Sequence, residues 1–107
     1  MEAGRYLCSH LVTLSWKDGA SGVTQSIVNI EEIWAEGAVL ESEAVAPVGS
    51  SAEIRCGKTF FAGKITRADV HEFGVRIEIE FSPLTPWSVE RFRPEHLLDL
   101  EDPTEFP

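Results

Sequence analysis

The eight residues GVRIEIEF, Gly74–Phe81, constrain the fold more than any other stretch of the chain. Val75, Ile77, Ile79 and Phe81 alternate with Arg76, Glu78 and Glu80. Successive side chains of an extended strand point to opposite faces, so the apolar four share one face and the charged three the other. A strand of this kind belongs to an antiparallel sheet with one face on a core and the other in water.

The same period recurs upstream. Residues 7–16, LCSHLVTLSW, set Val12, Leu14 and Trp16 against Ser9, Thr13 and Ser15. KDGASG (17–22) is a turn signal, and VTQSIVNI (23–30) is a second strand rich in β-branched residues. Gly37 interrupts before AVLESEAV (38–45) resumes strand character, which Pro47 and Gly49 end. AEIRC (52–56) and TFFAGKITRADV (59–70) read as two strands joined at Gly57 and Lys58, and HEFG (71–74) is the next turn. Gly63, inside the second of these, predicts a bulge or sharp bend where a small barrel turns its corner.

After Phe81 the alternation stops. SPLTPWSVERFRPEHLLDL (82–100) carries Pro83, Pro86 and Pro94. Thr85 is placed to cap a helix whose first position is Pro86, where the missing N–H costs nothing. Pro94 is placed to open a second helical turn. The expectation is an all-β fold, a six-stranded antiparallel barrel over about 6–82. A short C-terminal helical segment, about 85–100, follows within a single domain spanning 1–107. Trp87, Phe92, Leu97, Leu98 and Leu100 are then available to cover the barrel mouth.

Charge narrows the classes of partner. The chain has 18 acidic and nine basic residues, a net charge of -9. No Lys or Arg occurs between Lys17 and Arg55, where Glu31, Glu32, Glu36, Glu41, Glu43 and Glu53 fall. Such a field repels a phosphate backbone, which argues against nucleic acid. Arg55, Lys58, Lys64, Arg67 and Arg76 are read as part of a mixed, solvated surface. No apolar run reaches the ~20 residues of a membrane span, and the N-terminus lacks a secretory signal, so no membrane and a cytoplasmic location are expected. Cys8 and Cys56 form no metal-binding pair and read as small buried hydrophobes. His10, His71 and His96 are scattered, so neither metal nor other cofactor is expected. No nucleophile has a base at a suggestive offset, and Glu78 with Glu80 reads as a solvated pair, so the chain is not expected to be an enzyme.

Two stretches carry a family resemblance. RYLCS (5–9) opens the first strand, and EIWAEGAVLES (32–42) places Glu32, Trp34 and Gly37 before an alternating strand. With the order of elements, this layout resembles the PilZ domain, a bacterial six-stranded β-barrel that commonly serves as a receptor for cyclic di-GMP. The resemblance spans about 5–81. Family members carry Arg-x-x-x-Arg ahead of the first strand and Asp/Asn-x-Ser-x-x-Gly on the barrel surface. Here Arg5 holds the first arginine's place and Ser9 the second's. Glu32 stands for the Asp or Asn, Trp34 for the Ser, and Gly37 matches the glycine. Starting the motif at Asn29 instead puts Glu31 at the serine and leaves Gly37 out of step.

The resemblance implies Arg5, Glu32, Trp34 and Gly37 as ligand-site residues whose chemistry has changed. A serine hydroxyl supplies neither the charge nor the reach of a guanidinium, and a tryptophan ring fills space. The expected function is therefore a non-enzymatic signalling or adaptor module that acts through protein contacts and does not bind cyclic di-GMP in the usual way. Trp34, Trp87 and Phe92 are the candidate partner contacts. For Trp87 and Phe92 the other reading is that they only cap the barrel. The alternative function is a cyclic di-GMP or other nucleotide sensor with a variant site. Arg5 would then grip phosphate, Trp34 stack on a base, and Arg91 or Arg93 replace the missing arginine. A different small barrel, SH3-like, fits the same strand pattern.

Overall fold

A computed structural model describes residues 4–18 and 22–99. Every stretch with period-two alternation is a strand: β1 (Tyr6–Asp18), β2 (Gly22–Trp34), β3 (Gly37–Ser42), β4 (Ser51–Cys56), β5 (Thr59–His71) and β6 (Gly74–Phe81). The first six strands pair antiparallel in the order β2-β3-β6-β5-β4-β1, and β1 pairs back to β2, which closes the barrel. A seventh strand, β7 (Leu98–Asp99), adds two residues to the edge of β1 at Tyr6 and Leu7.

The pleat puts Val12, Leu14 and Trp16 of β1 inside with Val28, Ile30 and Ile33 of β2. Ala38 and Leu40 of β3, Ile54 of β4, Phe61 and Ile65 of β5, and Ile77 and Ile79 of β6 complete this core. Phe61 and Phe81 stack at 5.2 Å between centroids. Ala46, in the crossing from β3 to β4, is fully buried with them. This dry interior is the main source of stability, at roughly 25 cal/mol per Å² of apolar surface removed from water.

The hairpin expected at Gly57 and Lys58 forms, and φ of +64° at Gly57 alone fits the first position of a type II′ loop. The bulge falls elsewhere than expected. Gly63 stays in register with both Ala52 and Phe81, while the shift lies between Ile65 and Arg67, which makes Thr66 the extra residue. What Gly63 permits is contact: a Cβ there would stand 2.0 Å from the Glu80 carbonyl oxygen.

The C-terminal helical segment expected over about 85–100 lies partly outside the described residues. Residues 82–97 run as bends and turns, and no helix occurs among the described residues; residue 100 lies outside them. Thr85 does not cap a helix. Its hydroxyl accepts from the Ala62 N–H at 3.0 Å and donates to the Ala62 carbonyl at 3.1 Å, extending the ladder beyond the end of β6. His96 has φ of +58°, which no right-handed helix accommodates. The segment instead lies along β1: Ser9 N–H donates to Glu95 O, and Glu95 N–H donates to His10 Nδ1, both at 3.1 Å.

Candidate binding site

Arg5, Glu32 and Trp34 meet on the outer wall of the barrel, and the β1–β2 register is the reason. Tyr6 pairs with Ile33 and Leu7 with Glu32, which sets Arg5 beside Trp34. Because Ile33 is buried in the core, its neighbours Glu32 and Trp34 point outward, as Arg5 does on the other strand. Glu32 lies diagonally across from Arg5, within reach of a long side chain.

The three side chains satisfy one another. Arg5 Nη2 and Nε donate to the same Glu32 oxygen at 2.7 and 3.2 Å. The guanidinium carbon lies 4.0 Å above the centroid of the Trp34 ring, a cation–π stack. Arg76 of β6 approaches from the other side, 3.7 Å from Glu32 and 3.8 Å from Glu31. A β-bulge between Ile30 and Glu32 turns Glu31 toward this group. Val39 faces outward between Glu32 and Glu78, yet is only 2% exposed, so the surrounding side chains cover it.

Gly37 lets the ring lie down. It pairs with Trp34 across the two-residue loop of Ala35 and Glu36, and with Glu80 of β6. A Cβ at Gly37 would stand 2.5 Å from the Ile79 carbonyl oxygen and 3.0 Å from Trp34 Cζ2. The glycine is thus required by close packing rather than by an unusual backbone angle.

On its other flank Trp34 borders a hollow of about 300 Å³ lined with Glu36, Thr66, Glu78, Ile79 and Glu80. Three carboxylates face any group that enters there. A larger cleft, about 810 Å³, lies between the loop at Ala35 and the strand end at Phe81, with Lys64 and Glu80 on its walls and Pro83 and Pro86 above. None of Arg5, Glu32, Trp34 or Gly37 lines it.

The other nominated residues lie apart from this group. Trp87 is buried, 5% exposed, with its indole N–H donating to the Phe92 carbonyl at 2.8 Å and Tyr6 edge-on at 5.3 Å. Phe92 is half-buried against His10. Trp87 belongs to the core and presents almost no surface, and Phe92 packs against that core while partly exposed. Arg91 lies over the Phe61 ring at 5.3 Å. Ser9, in the place of the second arginine, contacts Asn29 Oδ1 at 3.3 Å.

The cysteines are free and inward-facing. Burial pushes the Cys8 thiol up to about 12, helped by the Glu31 and Glu32 carboxylates, and burial alone pushes Cys56 to about 12. Neither is a ready nucleophile near neutral pH. Among the described residues no group of three His, Cys, Asp or Glu side chains is arranged to hold a metal ion. No helix there is long and apolar enough to cross a membrane.

Sequence reasoning found Arg5, Glu32 and Trp34 but missed Arg76, which it placed among surface charges. Its signal was the alternation of β6, which puts Arg76 on the outer face; only the strand order brings that face beside β3 and β2. Fold and site together define a closed β-barrel carrying an aromatic–ionic cluster on its outer wall. Compared with protein-family models, curated proteins and solved structures, the chain matches none.

Proposed function

We propose that this barrel is a non-enzymatic, PilZ-like adaptor that works through protein contacts at Trp34, and that its variant site does not take cyclic di-GMP. The observation that carries this reading is the engagement of Arg5 by Glu32 and Trp34. A phosphate ligand must first displace Glu32 and lift the guanidinium off the ring. An exposed ion pair and a cation–π contact oppose this by ~1 kcal/mol or less each. The larger obstacle is the field: Glu31, Glu32, Glu36, Glu78 and Glu80 surround the approach to a site that has lost one of two arginines. A missing charged hydrogen bond adds ~1.5–3 kcal/mol.

The same features suit a protein partner. Trp34 is partly exposed, bordered by carboxylates, and held by Arg5 in a fixed orientation, which lowers the entropy lost on binding. A partner that offers a cationic or aliphatic side chain meets the exposed part of the ring and the acidic rim beside it.

The second reading, a nucleotide sensor, draws on the fact that the residues implied by the resemblance are neighbours in space. Calorimetric titration of cyclic di-GMP into the native protein and Arg5→Ala, at low salt, separates the two. No binding heat in either is expected; saturable binding by the native protein that Arg5→Ala abolishes would establish the sensor. A pull-down from the native host, comparing native bait with Trp34→Ala, then tests the adaptor. A specific partner retained only by the native bait is expected, and equal recovery by both overturns the role of Trp34.

A further inference from the structure

Strand β2 is served by neighbours unequally along its length. It pairs with β1 from Gly22 to Ile33, but its pairing with β3 begins only at Asn29. Over residues 22–28 no described strand lies on the side away from β1. The other side of the ribbon at this level is covered, because Thr13–Trp16 of β1 pair with β4. Beside the β2 edge lies a notch of about 490 Å³ whose lining includes Ser26, Ile27, Asn29, Phe73 and two carboxylates, Glu41 and Glu43.

Open edges are normally blunted by charge, proline or a bulge. This one has none of these: GVTQSIVNI, 22–30, is uncharged and free of proline in a chain of net charge -9. Its outward side chains are Val23, Gln25 and Ile27, with Val23 and Ile27 66% and 69% exposed. These three read alike in both directions about Gln25. A twofold axis through Gln25, normal to the sheet, keeps outward residues opposite outward residues. It pairs Val23 with Ile27 of a second copy, Gln25 with Gln25, and Ile27 with Val23.

We propose that the 22–28 edge of β2 is a self-association surface, on which a second copy of this chain adds its own β2 antiparallel, centred on Gln25. Backbone hydrogen bonds continue the sheet from one barrel into the next. Two apolar cross-strand pairs flank a central amide pair whose side chains can hydrogen-bond each other. The absence of charge selects a like partner, because no Glu or Asp is placed opposite another along the paired segment. The acidic residues lie beyond it, so added salt screens their repulsion and strengthens association.

Sedimentation and light scattering across a concentration series test this. The native protein is expected to dimerise, more tightly at high salt. Gln25→Lys and Gln25→Glu each set like charges opposite one another at the axis and are expected to be monomeric, whereas an equimolar mixture of the two re-forms a dimer. Ile27→Lys, an independent change at an exposed position, is also expected to be monomeric. Phe60→Lys, at an exposed position on β5, which neighbours β4 and β6 and not β2, leaves the dimer intact. A native protein that stays monomeric at every concentration overturns the proposal. So does a dimer that survives both Gln25→Lys and Ile27→Lys, or one that salt dissociates.

Discussion

Replacing Gly37 by alanine tests whether close packing, rather than loop flexibility, explains the glycine in EIWAEGAVLES. The new Cβ would stand 2.5 Å from the Ile79 carbonyl oxygen, where carbon–oxygen contacts ordinarily begin near 3.3 Å, so β3 and β6 must part by about 0.8 Å. The Trp34 ring, 3.0 Å away at Cζ2, must tilt as well. Overpacking of this kind costs ~1–3 kcal/mol. Gly37 is not among the residues with positive φ, so alanine also restricts the unfolded chain and returns ~0.4–1 kcal/mol. The net expectation is a loss of about 1–2 kcal/mol, or a Tm lower by about 5–10 °C for a domain of this size. Urea and thermal unfolding measure the loss, and tryptophan emission reports the ring. Gly63→Ala should lose more, because its Cβ would lie 2.0 Å from the Glu80 oxygen with two further backbone atoms within 3.0 Å. Stability equal to native in Gly37→Ala, with unchanged emission, would refute the packing account. So would a reversed order of the two variants.

The cysteine thiols, pushed to about 12 against an ordinary 9.0, should react with thiol reagents at pH 8 about a thousandfold more slowly than a free cysteine until the protein is unfolded. A raised folded-state value also means that stability, fully present below pH 9.0, falls as pH rises toward about 12, because the unfolded chain releases these protons first. Cys56→Ala should flatten that alkaline decline in urea midpoints measured against pH. Trp87→Phe removes the indole donor to the Phe92 carbonyl and should lower unfolding free energy by ~1 kcal/mol in urea. Thr85→Val removes the two hydrogen bonds of the Thr85 hydroxyl, leaving the Ala62 N–H without this acceptor while its carbonyl keeps the Ser82 N–H, and should cost ~1–2 kcal/mol, with faster amide exchange at Ala62.

The strands were legible because their signal is local. Alternation in GVRIEIEF predicts which residues face the core, and Val75, Ile77, Ile79 and Phe81 are all buried. The C-terminal segment is less legible because its cues have two meanings. Thr85 before Pro86 is a helix cap only if the following residues turn right-handed; here the hydroxyl finds the Ala62 backbone first. Pro94 opens a turn as readily as a helix, and His96 then takes the left-handed conformation. The candidate site was half legible. A resemblance of motif layout nominated Arg5, Glu32, Trp34 and Gly37, but the contact between Arg5 and the side chains of Glu32 and Trp34 depends on strand register. That register includes a bulge between Leu7 and His10 that shifts every partner beyond it by one. Arg76 depends on strand order as well, which no linear pattern encodes.

Strand β2 carries both surfaces proposed for this molecule, and its own irregularity keeps them apart. Before Asn29 it is uncharged and has no described strand on one side; after Ile30 a bulge brings Glu31 and Glu32 to the outer wall beside Trp34. A partner at Trp34 meets the outward side chains of the second half, while a second copy meets the backbone edge of the first. The contacts use different chemistry and need not compete. A dimer through Gln25 would hold two Trp34 sites in fixed relation about one axis, so a partner with two matching segments would bind the second as an intramolecular event. Disrupting the edge with Gln25→Lys should then weaken capture of such a partner while leaving binding of its single isolated segment unchanged. Trp34→Ala should weaken both.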